Sequence, residues 1–198
     1  MSIRTPVCNL FGIERPIFGF AHSVTVVAAI SRAGGLGVYG ATMDEPEEIR
    51  EKSRELCGDR RFGLDLLLPS SVGDETDRAK VQEGLPQAHK DFVEGLARRY
   101  AVPPPKESSF YGRNVRSQTL FARQVEAALA SEADVFAAAV GVPPAVIARA
   151  RAAGKMTISL VGAVKHAERA VEAGVDLIVA QGHDAGAHRH LQPGAASG

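Results

Sequence analysis

The segment Gln181-Gly-His-Asp-Ala-Gly-Ala-His188 gathers an amide, an acid and two imidazoles within eight residues. Small residues are interleaved with them, so a ligand can approach the backbone closely. Histidine exchanges a proton near neutral pH, which makes one of these imidazoles a candidate general base. With His190 the spacing becomes H-x4-H-x-H, which fits neither one helical face nor a standard zinc spacing, so no metal site is expected. No G-x-S-x-G occurs, which removes hydrolases built on a nucleophile elbow. A second group stands apart in Phe62-Gly-Leu-Asp-Leu-Leu-Leu68, where Asp65 is a carboxylate among leucines. An unpaired charge buried there costs several kcal/mol, so it must reach solvent or a polar partner. A structural role and a ligand contact both stay open for it.

Groups so far apart in the chain need a scaffold that gathers them. Short apolar runs start at 16, 36 and 62, and again at 135, 156 and 176, a spacing of 20 to 26 residues within each group. They are continuous and not alternating, which is the pattern of strands covered on both faces. Helices with legible ends lie between them. Ser23 caps a stretch through Arg32 that stops at Gly34-Gly35, and Asp44-Glu-Pro-Glu47 opens one that ends at Gly58. Pro143-Pro144 opens Ala145 to Ala153, and Ala163 to Ala173 carries Val164, Ala167 and Val171 on one face. The period breaks between about 69 and 115, a polar stretch with the run Pro103-Pro-Pro105, read as an insertion after the third strand. Gln87 to Arg99 and Gln118 to Ala130 are amphipathic helix candidates.

A repeating βα array closes either as a doubly wound open sheet or as a (β/α)8 barrel. An open sheet that binds a dinucleotide needs a glycine-rich phosphate turn after its first strand. Here that turn is Gly19-Phe-Ala-His-Ser23, with one glycine, and the Gly34-Gly-Leu-Gly37 cluster precedes a strand. The expectation is therefore an α/β, TIM (β/α)8-type barrel with about six of its eight βα units present. Reactive groups of such barrels stand at the C-terminal strand ends. Those positions hold Gly19, Phe20, Ala21 and His22 after the first strand, and Gly40 and Ala41 after the second. Asp65 lies on the third strand, Gly162 follows the fifth, and the Gln181 segment follows the sixth.

Composition narrows the function classes. The 198 residues carry 23 basic and 23 acidic side chains, a formal charge of zero, without the basic excess of a nucleic-acid binder. No apolar run is long enough to span a bilayer, and the N-terminal stretch lacks a secretory apolar core. Cys8 and Cys57 have no metal-binding spacing, and a reducing cytoplasmic compartment is the expectation.

Three stretches resemble the nitronate monooxygenase family, the former 2-nitropropane dioxygenases, which are FMN-dependent TIM barrels. Ala28-Ala-Ile-Ser-Arg-Ala-Gly-Gly-Leu-Gly37 is similar to the family's first-helix to second-strand signature. Phe62-Gly-Leu-Asp65-Leu resembles its G-x-N-L strand. Ala180-Gln-Gly-His-Asp-Ala-Gly-Ala-His188 is similar to its A-Q-G-x-E-A-G-G-H motif. The resemblance implies FMN as cofactor and His188 as catalytic base. It implies flavin contacts at Gly19, Phe20, Ala21, Asp65, Gly162, Gln181 and Gly182. The chain departs from the family where Gly19-Phe-Ala21 replaces A-P-M, Asp65 replaces Asn, Asp184 replaces Glu and Ala187 replaces Gly.

The implied reaction oxidises a nitroalkane or alkyl nitronate with FMN and O2, after a neutral histidine takes the acidic α-proton. Residues 1–188 would then be a partial FMN-binding barrel with an insertion at about 69–115, and 189–198 an irregular tail. A full barrel takes ~250 residues, so the expectation is an N-terminal portion or a truncated product that binds FMN poorly by itself. Open sheet edges would favour pairing with another chain, including a homo-oligomer. Two other readings stand beside this one. They are an enoyl-acyl-carrier-protein reductase-like flavin barrel that draws on NAD(P)H, and a non-catalytic barrel fragment.

Overall fold

The computed structural model describes residues 3–58, 60–69, 71–104, 114–141 and 143–182. His188 and the 189–198 tail lie outside the described residues, as does Pro105 of the proline run. The chain divides into two compact units. One runs up to Ser70 and resumes at Gln124; the other spans Ser71–Arg123.

The first unit is a six-stranded sheet: β1 (Phe18–Ala21), β2 (Leu36–Gly40), β3 (Phe62–Leu67), β4 (Val135–Ala139), β5 (Met156–Val161) and β6 (Leu177–Ala180). Its spatial order is β1-β2-β3-β4-β5-β6, and every neighbouring pair is parallel. A doubly wound sheet reverses direction at a switch point; an unbroken sequential order is that of a βα barrel. The helices of this unit are α1 (Pro6–Phe11), α2 (Val24–Arg32), α3 (Pro46–Leu56), α7 (Pro144–Ala152) and α8 (Val164–Glu172). The second unit contains α4 (Arg78–Glu83) and α5 (Gln87–Arg99), and α6 (Gln118–Leu129) runs across the boundary at Arg123. Neither α4 nor α5 has a buried residue. Among the described residues no helix is long and apolar enough to cross a membrane.

Side-chain alternation sorts the strands onto two faces. Tyr39, Phe62, Leu64, Leu66, Phe136 and Ala138 pack with Val27 of α2, Ile49 and Leu56 of α3, Val125 and Ala128 of α6, and Ala150 of α7. The alternate positions Leu36, Val38, Val135, Ala137 and Ile158 pack with Cys8 and Phe11 of α1. The inner strands β2, β3 and β4 are thus buried on both sides, as their continuous apolar runs require, while β1 and β6 are only partly covered.

Local chemistry explains the element ends. The Ser23 hydroxyl accepts from the Val26 amide at 3.5 Å, and Gly34 (φ +91°) ends α2 in a conformation that side chains resist. The first turn of α3 differs from expectation, because Glu45 is the cap and not Asp44. The Glu45 amide donates to Glu48 Oε2 at 2.7 Å, closing a capping box. Asp44 is taken by Lys52 instead, with Nζ 2.6 Å from Oδ1 and 2.8 Å from the Tyr39 hydroxyl. Burial disfavours the Lys52 charge, yet the bonds to Asp44 and Tyr39 outweigh it and hold its pKa above the usual value. Gln124, 1% exposed, secures the same corner: its Nε2 donates to the carbonyls of Thr42 and Asp44 at 3.0 and 2.8 Å.

The helices α1 and α4 were not expected from the sequence, because six residues are fewer than two turns and carry no periodic signal. The apolar stripe of α8 is not buried among the described residues: Val164 is 77% and Val171 66% exposed, and Ala170 is the buried position instead.

Candidate functional site

Strand register assembles the site. Gly40, Asp65, Ala137, Ile158 and Leu177 form one row across β2 to β6, on the face opposite the outer helices. Phe20 pairs with Val38 on the same face, and His22 lies two residues further along. The rings of Phe20 and His22 meet edge to face with centroids 5.0 Å apart, and His22 Nδ1 lies 2.9 Å from the Gly40 carbonyl oxygen. Both rings occupy the space above Gly40, where a Cβ would come within 2.5 Å of Phe20 and 2.7 Å of His22. Phe20 is 56% exposed, an aromatic ring presented at the strand ends.

Asp65 is 6% exposed, and its Oδ1 is buried without a hydrogen-bond partner. Of its two oxygens, Oδ1 alone is both buried and without a partner among the described residues. Its neighbours on the row are Gly40 and Ala137, which bring no polar side chain. Burial instead pushes its pKa up to about 7.

The other predicted positions fall into two groups. Gly162 directly follows β5, and Gln181 follows β6 with its backbone N–H donating to the Val161 carbonyl at 2.9 Å. Alternation from Leu160 and Val179 carries both to the face of Asp65. Among the described residues, a Cβ at Gly162 or Gly182 would meet nothing within 4 Å. Gly19 and Ala21 face the other way. Ala21 packs into the helix-side core, and a Cβ on Gly19 would lie 2.5 Å from Ile30 of α2. Of the first-strand trio, Phe20 alone presents its side chain to the site. His183, Asp184 and His188 lie outside the described residues.

Of the other residues at the strand ends, the structure gives His22 and Gly40 defined places at the site. The signal for Gly40 was its position as the last residue of a strand. At the end of β4, Val140 adopts φ +63°, a left-handed conformation that costs a β-branched residue about 1–3 kcal/mol and recurs at ligand sites. Among the described residues no group of three His, Cys, Asp or Glu side chains could hold a metal ion.

Gly40→Ala tests how the rings are seated. The added methyl meets two side-chain rings and no backbone, so the rings can swing away. The expected result is an unfolding midpoint within a few degrees of the parent, a change of about 1 kcal/mol or less. The imidazole would leave the Gly40 carbonyl, and ligand affinity at the strand ends would fall.

A sequential parallel βα sheet with Phe20, His22 and Gly40 gathered at its C-terminal strand ends has the architecture of a βα barrel, whose small-molecule sites stand at that end. The chain belongs to the nitronate monooxygenase family, whose sequence pattern matches residues 5–197. A Mycobacterium tuberculosis protein named for a monooxygenase activity is 36% identical, over 94% of this chain and 52% of its own length. The Pseudomonas aeruginosa nitronate monooxygenase is 29% identical, over 91% of this chain and 51% of its own. The chain spans about half the length of the curated relatives it matches. Among solved structures, a FabK mutant from Thermotoga maritima superimposes with a TM-score of 0.66 at 23% identity, covering 95% of this chain and 49% of its own. Nitroalkane oxidase from Streptomyces ansochromogenes does so with 0.61 at 24%, covering 90% of this chain and 49% of its own. At these identities the two structures bear on the fold.

Proposed function

We propose that the chain forms the larger part of a flavin site that oxidises nitroalkanes or alkyl nitronates with O2, with FMN as the flavin. The observation that carries this reading is the position of Gln181. It heads the family-like segment Gln181-Gly-His-Asp-Ala-Gly-Ala-His188 and stands at the end of β6, on the face shared by Asp65 and Gly162. The residues present suit an isoalloxazine ring. Asp65 Oδ1 is a buried polar atom still wanting a partner, Gly40 and Ala137 bring no bulk beside it, and Gly162 and Gly182 have no described residue crowding them.

A bound flavin supplies the electron acceptor and the later reaction with O2. The chain's own residues bind and orient. Phe20 offers an aromatic edge at the strand ends, Gln181 an amide to the ring, and Gly182 a close backbone approach. His188 takes the α-proton of the nitroalkane onto a ring nitrogen, which is favourable because a neutral imidazole is the populated form near pH 7.

The test is oxygen uptake by the purified protein with nitroethane and added FMN, with and without NAD(P)H. The expected result is uptake that needs no NAD(P)H and falls about 10²–10⁴-fold in His188→Ala. Uptake that requires NAD(P)H and ignores nitroethane would replace this reading with a flavin reductase.

A further inference from the structure

The row Gly40–Asp65–Ala137 places one carboxyl oxygen, Oδ1, where neither row neighbour offers it a partner. The side chain is more than nine-tenths buried, Oδ1 has no hydrogen-bond partner, and its two row neighbours bring only a hydrogen and a methyl. Charged groups nearby are already committed. Asp44 and Lys52 bond to each other at the helix-side corner that Tyr39 and Gln124 close. Facing Asp65, β2 offers Val38 and Gly40, β4 offers Val135, Ala137 and Ala139, and β5 offers Ile158 and Leu160, none of them titratable. From β1 the titratable group is His22, whose ring lies against Gly40, and from α1, packed on the same face of the sheet, it is the thiol of Cys8. Among the described residues no cation is bonded to Asp65.

We propose that Asp65 acts as a neutral carboxylic acid and donates its proton in a hydrogen bond to an acceptor atom, a ring nitrogen or carbonyl oxygen, of the flavin at the strand ends. The inference rests on the flavin reading above. An ionised carboxylate can only accept, and buried beside acceptor atoms it would repel them. The neutral acid has an O–H to give, as an amide has an N–H. The protein would thereby hold a donor at this position while carrying an acidic residue. The burial that pushes Asp65 up to about 7 is the physical source of that state. A ligand atom that accepts its proton stabilises the acid form further, so ligand and proton bind together.

The experiment measures affinity for riboflavin by fluorescence quenching at about pH 6 and about pH 8.5. Riboflavin is chosen over FMN because a phosphate monoester titrates in that window itself. Wild type, Asp65→Asn and His22→Gln are compared. The expected result is roughly tenfold weaker binding at the higher pH for wild type and for His22→Gln, with Asp65→Asn flat at about the wild-type low-pH affinity. A flat wild-type profile would overturn the proposal, and so would a slope that vanishes in His22→Gln but survives in Asp65→Asn. If no variant binds riboflavin at either pH, the flavin reading itself fails. The acid state is then decided by unfolding midpoints. A wild-type midpoint that drops relative to Asp65→Asn between about pH 5 and about pH 8 supports the neutral carboxyl, and parallel curves overturn it.

Discussion

Gly37→Ala is expected to cost about 3 kcal/mol of stability, read as a lower urea midpoint with an unchanged slope. The new Cβ would fall 2.2 Å from the Val27 carbonyl oxygen and 2.9 Å from Ser31 Oγ. The first of these atoms is α2 backbone and cannot rotate away. Accommodation requires α2 to lift from β2, which also strains the bond from the Gly37 amide to Ser31 Oγ at 3.1 Å. Val27 is fully buried in the helix-side core, so lifting α2 opens packing against Tyr39 and Ile49 as well. The comparison with Gly40→Ala is the control. Both glycines sit in β2 with too little space for a methyl, but Gly40 faces two rotatable rings and Gly37 faces a helix. Similar costs for the two substitutions would show that the helix is not the obstacle.

Asp65→Asn is expected to stabilise the protein at pH 8 by up to roughly 4 kcal/mol and to change little near pH 4. The sign follows from proton counts. The carboxyl ionises near 3.8 in the unfolded chain and near 7 in the folded one. Between those values the folded state holds the proton that the unfolded state has released. Stability therefore falls as pH rises across that interval and levels off above it. Asparagine does not titrate, so the variant lacks that decline. Thermal melts of both proteins at intervals of pH check the claim; a variant that tracks the wild type at every pH contradicts it. If the substitution stabilises, the wild-type acid is held at a cost to folding, as expected of a group kept for its ligand.

Much of the frame was legible in the residues. Leu36–Gly40 and Met156–Val161 are strands with the bounds their apolar runs indicate, and Gln87–Arg99 is a helix with its expected ends. These elements have unbroken periods and clear glycine or proline punctuation. Strand-end placement singled out Gly162 and Gln181, and an acid among leucines singled out Asp65. Which way a side chain faces was harder to read. Gly19, Phe20 and Ala21 are consecutive, and a period of two sends only the middle one to the site. Phase is fixed by cross-strand register, a long-range property absent from any local run. The fate of Asp44 is a similar case. Its local pattern is that of a helix cap, and Lys52, two turns further along, outcompetes the amides for it. The Asp65 carboxyl shows the limit most clearly. Burial among leucines signals a cost, but only the register shows that Gly40 and Ala137 leave that cost unrelieved.

The second unit interrupts the first between β3 and β4, and this shapes how the sheet is assembled. Each other strand pair joins residues separated by one helix and two short connections, whereas Gly63 must find Val135 across the whole Ser71–Arg123 unit. Closing the longer loop costs about 1 kcal/mol more in chain entropy, since each doubling of length adds ~0.6 kcal/mol. Contacts of long sequence separation are the slow ones to form. The kinetic seam of the sheet therefore lies between β3 and β4, with β1–β3 and β4–β6 as two locally paired halves that meet late. The row that frames Asp65 crosses that seam, so the carboxyl is buried only when the halves join.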